Sequence, residues 1–198
     1  IFVNRGAKEM VEAFSLLPVH LEAKLKIVGK SFPARLADEL RRAPGAERLE
    51  LCGYLERSEM IQFLGNIRVG LVVLHPLPQY KVALPVKMFE YMASGVPVIA
   101  SDFLLWRNIV KDAGCGLLVD PLDPVSIAEA IEFLLAHPKQ AFEMGMRGRE
   151  AVERKYNWEL EETKLLNLYG ELLEDHLRRP LASTTEQKRR TLKSTAHN

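Results

Sequence analysis

Apolar residues recur along this chain in two alternating patterns. At helical spacing, Met10, Val11, Phe14 and Leu17 form one stripe within 7–17, and Leu36 and Leu40 form another within 33–42. Between such stretches lie short continuous apolar runs at 25–28 (LKIV), 49–52, 69–74 (VGLVVL), 96–100 and 114–119 (GCGLLV). Runs of that length without alternation suit strands covered on both faces of a parallel sheet. Strand and helix taking turns is the signature of a doubly wound fold. The pattern therefore predicts an α/β domain, a Rossmann-like parallel sheet of about six strands with helices on both faces.

The later segments carry clear start and stop signals. Ser58 reads as the cap of a helix at 59–65, and Asp123 before Pro124 as the cap of another, with Ile127, Ala130, Ile131 and Leu134 as its buried stripe. A short helix is expected at 104–112. Another covers 138–156, with Met144, Met146 and Val152 adding apolar surface. The proline-rich stretch 75–83 (HPLPQYKVA) reads as a loop at a strand's carboxyl end, where doubly wound domains place their ligand crevice. His75 there is either a hydrogen-bond donor or a solvated side chain. A long helix at 159–177 bears a stripe of Leu165, Leu168, Tyr169, Leu172 and Leu173. The domain is expected to span 1–178, and the polar, basic stretch 179–198 to be a disordered tail. For Lys188, Arg189, Arg190 and Lys193 a membrane-surface contact stands beside a plainly solvated tail.

Composition narrows the classes. Twenty-seven Lys and Arg against 26 Asp and Glu leave a formal charge of +1, so no global field points to nucleic acid. Cys52 and Cys115 lack metal-type spacing and read as reduced, buried residues of a cytoplasmic protein. No apolar run reaches membrane-spanning length, and no signal peptide is visible. A helix begins almost at once after Ile1, so the chain is expected to be a fragment lacking upstream sequence.

The chemistry concentrates in 84–102, LPVKMFEYMASGVPVIASD. It reads as a helix opened by Pro85, stopped by Gly95 and followed by a buried strand. Lys87 and Glu90 lie three apart and share one face near the helix start, while Met88 and Met92 turn to the core. That pair is either a surface ion pair or a cation and a carboxylate set for a ligand with phosphate and hydroxyl groups. Arg5 and Gly6 stand before the first helix; by position alone Arg5 is either a solvated loop cation or a phosphate contact. Tyr54, after the strand 49–52 and Gly53, either stacks on a base or covers the sheet edge.

The string K-M-F-E-Y-M-A-S-G-V-P-V-I-A-S-D resembles the nucleotide-binding segment of the group 1 (family 4) glycosyltransferases, and G-C-G-L-L-V-D-P-L-D-P-V-S-I-A-E-A-I resembles the same family a second time. The N-W-x10-Y bracket from Asn157 is similar to that family's C-terminal helix. The resemblance implies the C-terminal, donor-binding half of a two-domain GT-B fold. It implies that Glu90 holds the donor ribose hydroxyls and that Arg5, with Gly6 after it, meets the donor diphosphate. Gly53, Tyr54, Leu84, Val86 and Lys87 complete the implied nucleotide site, and Glu90, Lys87 and Arg5 are the residues on which transfer would depend. Two positions depart from the family pattern: Val82 stands where the first glutamate of E-x7-E belongs, and Pro85 stands where many relatives have a glycine N–H that proline cannot give. Lys87 can supply the charge that the lost amide does not.

The family implies a retaining transfer from a nucleoside diphosphate sugar, UDP or GDP among the carriers, to a glycan, lipid or other acceptor held by an N-terminal domain. Without that half the chain is expected to bind the donor and not turn over. No separate cofactor and no metal are expected, since Asp120 and Asp123 are spaced for a turn and a helix cap. A nucleotide-sugar epimerase would need its own cluster of acid and base side chains, which the sequence does not show. The remaining alternative is a non-catalytic nucleotide-binding or interaction module.

Overall fold

A computed structural model describes residues 2–30, 33 and 35–178. Residues 156–198 form a unit separate from 1–155, and the long helix that unit contains is treated by itself below.

The first unit alternates helix and strand. A 3-10 turn at Val3–Arg5 leads through Gly6 into α1 (Ala7–Leu16), followed by β1 (Leu25–Val28), α2 (Arg35–Leu40), β2 (Leu49–Gly53), α3 (Arg57–Leu64) and β3 (Gly70–Val72). After β3 come α4 (Pro78–Val82), α5 (Val86–Ala93), β4 (Val98–Ser101), α6 (Leu104–Ala113), β5 (Gly116–Val119), α7 (Pro124–Ala136) and α8 (Pro138–Arg154). Every paired strand runs parallel to its neighbour. The doubly wound α/β reading is correct. The strand count is not: five strands form among the described residues, hydrogen-bonded in two pieces, β1-β2 and β3-β4-β5.

The stripes read from the sequence are the core. Met10, Val11, Phe14, Leu17, Leu36, Leu40, Ile127, Ile131 and Leu134 are all buried, as are Val98, Ile99 and Ala100 of β4. One apolar cluster joins α1 and α7 to residues of both sheet pieces: Leu25 and Ile27 on one side, Leu71, Val73, Ile99 and Val119 on the other. Both pieces therefore present the same face to the same helices.

Several boundaries differ from the sequence reading for local reasons. Glu56, not Ser58, caps α3: it forms a reciprocal capping box with Glu59, whose carboxylate accepts the Glu56 N–H at 2.7 Å. The stretch 75–83 is not wholly loop; Pro78 opens the one-turn helix α4 with its preset φ. The strand read at 69–74 pairs only over Gly70–Val72, although Val73 and Leu74 stay buried. Cys115 is buried and Cys52 only partly so; both are free thiols. Met146 is exposed, because α8 packs through Ala141, Gly145 and Gly148 instead. A Cβ at Gly145 would overlap the carbonyl of Gly95, so the absence of a side chain is what lets α8 lie against the turn after α5.

The second unit's helix, α9 (Trp158–Arg178), opens with the Asn157 side chain accepting the Leu160 N–H at 3.0 Å. Its stripe of Leu165, Leu168, Tyr169, Leu172 and Leu173 is exposed. The basic stretch 179–198 lies outside the described residues.

Candidate functional site

The site is built where chain exits from strands meet helix starts. Gly6 has φ +65°, a left-handed conformation suited to glycine, and a Cβ there would come within 2.6 Å of the Val73 carbonyl oxygen. The start of α1 is thereby pressed onto the exit of β3. The His75 N–H donates to the Asn4 carbonyl at 3.0 Å, and His75 Nε2 lies 3.0 Å from Glu9 Oε1. His75 is thus engaged and half-buried, neither a free donor in the crevice nor a solvated loop side chain. Arg5 stays exposed, with its guanidinium 5.9 Å from the centroid of the Phe2 ring.

Lys87 and Glu90 project from the first turns of α5, whose N-cap is Pro85. Lys87 makes no ion pair with Glu90. Its ammonium donates instead to the Leu71 carbonyl of β3 at 3.1 Å. Burial of the ammonium, reinforced by the nearby Arg5 charge, lowers its pKa to about 8. Tyr91 is raised to about 12 by burial and by the adjacent Glu90 charge. A cavity of about 1000 Å³ brings Arg5, Lys87, Glu90 and Tyr91 to one wall system. Of the residues named from the sequence, three therefore converge.

The others do not join them in this cavity. Gly53 has φ +69°, Tyr54 is 66% exposed, and neither lines it. Leu84 and Val86 flank Pro85 and are exposed. Val82 is 78% exposed at the end of α4. Asp120 Oδ1 accepts the Leu122 N–H and Asp123 Oδ1 the Val125 N–H, both at 2.9 Å, so these carboxylates close a turn and cap α7 as their spacing implied.

Sequence reasoning missed two residues that hold this region in place. Ser101 is the one buried polar residue among the described residues; its hydroxyl donates to the Leu74 carbonyl and accepts the Leu74 N–H, each at 2.8 Å, joining the ends of β3 and β4. Trp106 is fully buried and its indole N–H donates to the Ala83 carbonyl at 2.7 Å, fixing the approach to Pro85. The signal for Trp106 was the helical spacing of Trp106, Ile109 and Val110. A serine at the end of an apolar strand gave no comparable sign.

A parallel α/β domain with two cations and a carboxylate gathered where strand exits meet helix starts is of the doubly wound class, which places its ligand crevice at those exits. Residues 1–151 match the family model described as Glycosyl transferases group 1, and the chain belongs to that family. Its fold is one half of a GT-B glycosyltransferase. Sucrose-phosphate synthase from Thermosynechococcus elongatus is 27% identical with a TM-score of 0.75, covering 87% of this chain and 43% of that one. Anabaena HepE, solved in complex with UDP-glucose, has a TM-score of 0.73 at 14% identity, over 85% of this chain and 46% of its own. Among curated relatives, a phosphatidyl-myo-inositol mannosyltransferase of Mycobacterium leprae (strain TN) is 33% identical over 82 residues, 41% of this chain and 22% of that protein. The chain spans less than half the length of such relatives. No described helix is long and apolar enough to cross a membrane.

Proposed function

We propose that this chain is the donor-binding half of a retaining glycosyltransferase that takes a nucleoside diphosphate sugar. The observation carrying this reading is the convergence of Arg5, Lys87 and Glu90 on one cavity, from the starts of two different helices. Arg5 and Lys87, with the N-terminus of α5, meet the diphosphate and the charge that grows on it as the glycosidic bond to the leaving group breaks. Glu90, a turn further along α5, accepts from the ribose hydroxyls and orients the nucleotide. Its support is the family match together with the UDP and UDP-glucose complexes of Anabaena HepE. In this reading no metal takes part: Arg5 and Lys87 carry that duty, and Asp120 and Asp123 are committed to the turn and the cap. The acceptor is held by an N-terminal domain that the parent protein supplies, and the chain alone binds donor without turnover.

The test is thermal unfolding with UDP, GDP and ADP. At a ligand concentration a hundred times Kd, binding stabilises by about 2.7 kcal/mol. One nucleotide should raise the midpoint, and Lys87→Ala and Glu90→Ala should each lose that rise relative to their own ligand-free midpoints. A rise retained in both variants rejects the assigned residues. The exposed Val82 at the place of the first glutamate favours a second reading, a binding module retired from transfer. Under it, restoring the upstream half gives nucleotide binding and no sugar transfer to any acceptor.

A further inference from the structure

Arg5 is exposed and makes no ion pair among the described residues, but the chain on either side of it is held. Its N–H closes the 3-10 turn on the Phe2 carbonyl at 3.0 Å, and the Asn4 carbonyl accepts the His75 N–H at the same distance. On the other side Gly6 lies against Val73, and the Gly6 carbonyl accepts the Met10 N–H at 2.9 Å to begin α1. The segment leaving β3 therefore carries both flanks of Arg5.

One side chain ties those flanks together. His75 Nε2 lies 3.0 Å from Glu9 Oε1, so the residue that grips Asn4 by its backbone grips the first turn of α1 by its ring. Both side chains are largely buried, 22% exposed for His75 and 16% for Glu9. The second carboxylate oxygen, Glu9 Oε2, is buried without a hydrogen-bond partner, so His75 is the only group among the described residues that engages this carboxylate.

A carboxylate deprived of that contact does not stay in place, because an unpaired buried charge is among the costliest groups a fold can hold. Two ways out exist. It turns outward and carries the start of α1 with it, or it takes the uncommitted cation of its own segment. That cation is Arg5, four residues back, since Lys8 already lies 3.8 Å from Glu12. Either move withdraws the guanidinium from the crevice.

We propose that His75, acting with Glu9, is the positioning residue of Arg5. The imidazole occupies the carboxylate and pins the turn, and the guanidinium is left free for the donor's diphosphate. This role rests on the donor reading given above, in which Arg5 meets that diphosphate, and adds to it the pair that keeps Arg5 available. Neither His75 nor Glu9 touches the ligand. Their influence reaches it through one cation.

Calorimetric titration of the whole chain with UDP, GDP and ADP tests this. For the nucleotide that binds, Arg5→Ala should raise Kd about tenfold, as the loss of a charge-assisted contact does. His75→Phe keeps the bulk of the ring and drops its nitrogens; it should raise Kd about fivefold, and adding it to Arg5→Ala should change Kd by no more than about twofold, because residues acting through one contact do not add. His75→Gln offers Glu9 an N–H again and should bring Kd back to within about twofold of the unaltered chain. Salt should weaken binding less steeply in Arg5→Ala and His75→Phe alike, since both take one cation from the phosphates.

Full additivity of the two losses overturns the proposal. So does a loss in His75→Phe that glutamine does not restore, or that leaves the salt dependence unchanged, since either marks a residue that only holds the fold. If His75→Phe does not fold, Glu9→Asp, whose carboxylate falls one methylene short of the ring, carries the same expectations and the same refutations. An Arg5→Ala chain that binds as tightly as the unaltered one sinks the donor reading's use of Arg5 and this role with it. An effect there with none in His75→Phe sinks this role alone.

Discussion

Lys87 is carried at neutral pH as an ammonium in surroundings that favour the amine, and replacing it should make the domain more stable while disabling it. With its pKa lowered from 10.5 to about 8 by burial and by Arg5, the folded state holds this proton less tightly than the unfolded chain does. Between those two values the unfolded state binds more protons, so the lysine's contribution to stability rises with pH across that window. Below pH 8 the full cost applies, about 3 kcal/mol at most at 1.36 kcal/mol per unit. Lys87→Met keeps an unbranched apolar stem and removes the charge, but leaves the Leu71 carbonyl without its donor, which returns about 1 kcal/mol. The net expectation at pH 7 is a gain of about 2 kcal/mol, or about 4–8 °C in a domain of this size. Urea unfolding of both proteins from pH 7 to 10.5 checks it: the gap between them should close as pH rises. A variant equally or less stable at pH 7, or a gap that does not change with pH, refutes the desolvation argument. Nucleotide binding should meanwhile fall at least tenfold in calorimetric titration, so stability and function separate at one residue.

Other substitutions probe the frame. Ser101→Ala leaves the buried Leu74 N–H and carbonyl unpaired and should cost about 1–3 kcal/mol in denaturant unfolding. Gly145→Ala drives a methyl into the Gly95 carbonyl and should cost about 3 kcal/mol, seen as a lowered urea midpoint, whereas Gly53→Ala meets no atom within 4 Å and should show only the milder strain of its positive φ. Trp106→Phe removes the donor to Ala83, with an expected loss of about 1–2 kcal/mol and faster amide exchange through 83–86.

Periodicity made most of this fold legible. β1 falls at 25–28 as read, α1 within a residue of its reading, and the buried stripes of α1, α2 and α7 are the ones the spacing gave. The failures have physical causes. A capping box outweighed the nearest serine at α3, and a one-turn helix hid inside a proline-rich stretch because four or five residues carry no period. The split of the sheet could not be read at all, since apolar runs announce strands and not which edges meet. Arg5, Lys87 and Glu90, which the family resemblance singled out, line one cavity, but the ion pair weighed for Lys87 did not form, because the Leu71 carbonyl of β3 lay within reach. Ser101 and Trp106 act through backbone partners 27 and 23 residues away, a relation that local sequence does not contain.

Those two hydrogen bonds clamp the same segment at both ends. Leu74 is tied to β4 through Ser101, Ala83 to α6 through Trp106, and between them runs the short α4 with Val82 at its exposed end. A span anchored this way behaves like a panel hung on two fixed posts: its face can be recut without moving the doorway it borders. Substitutions from Pro76 to Val82 should thus reshape that exposed face while Leu74 and Ala83, and with them the ends of β3 and β4, hold their places.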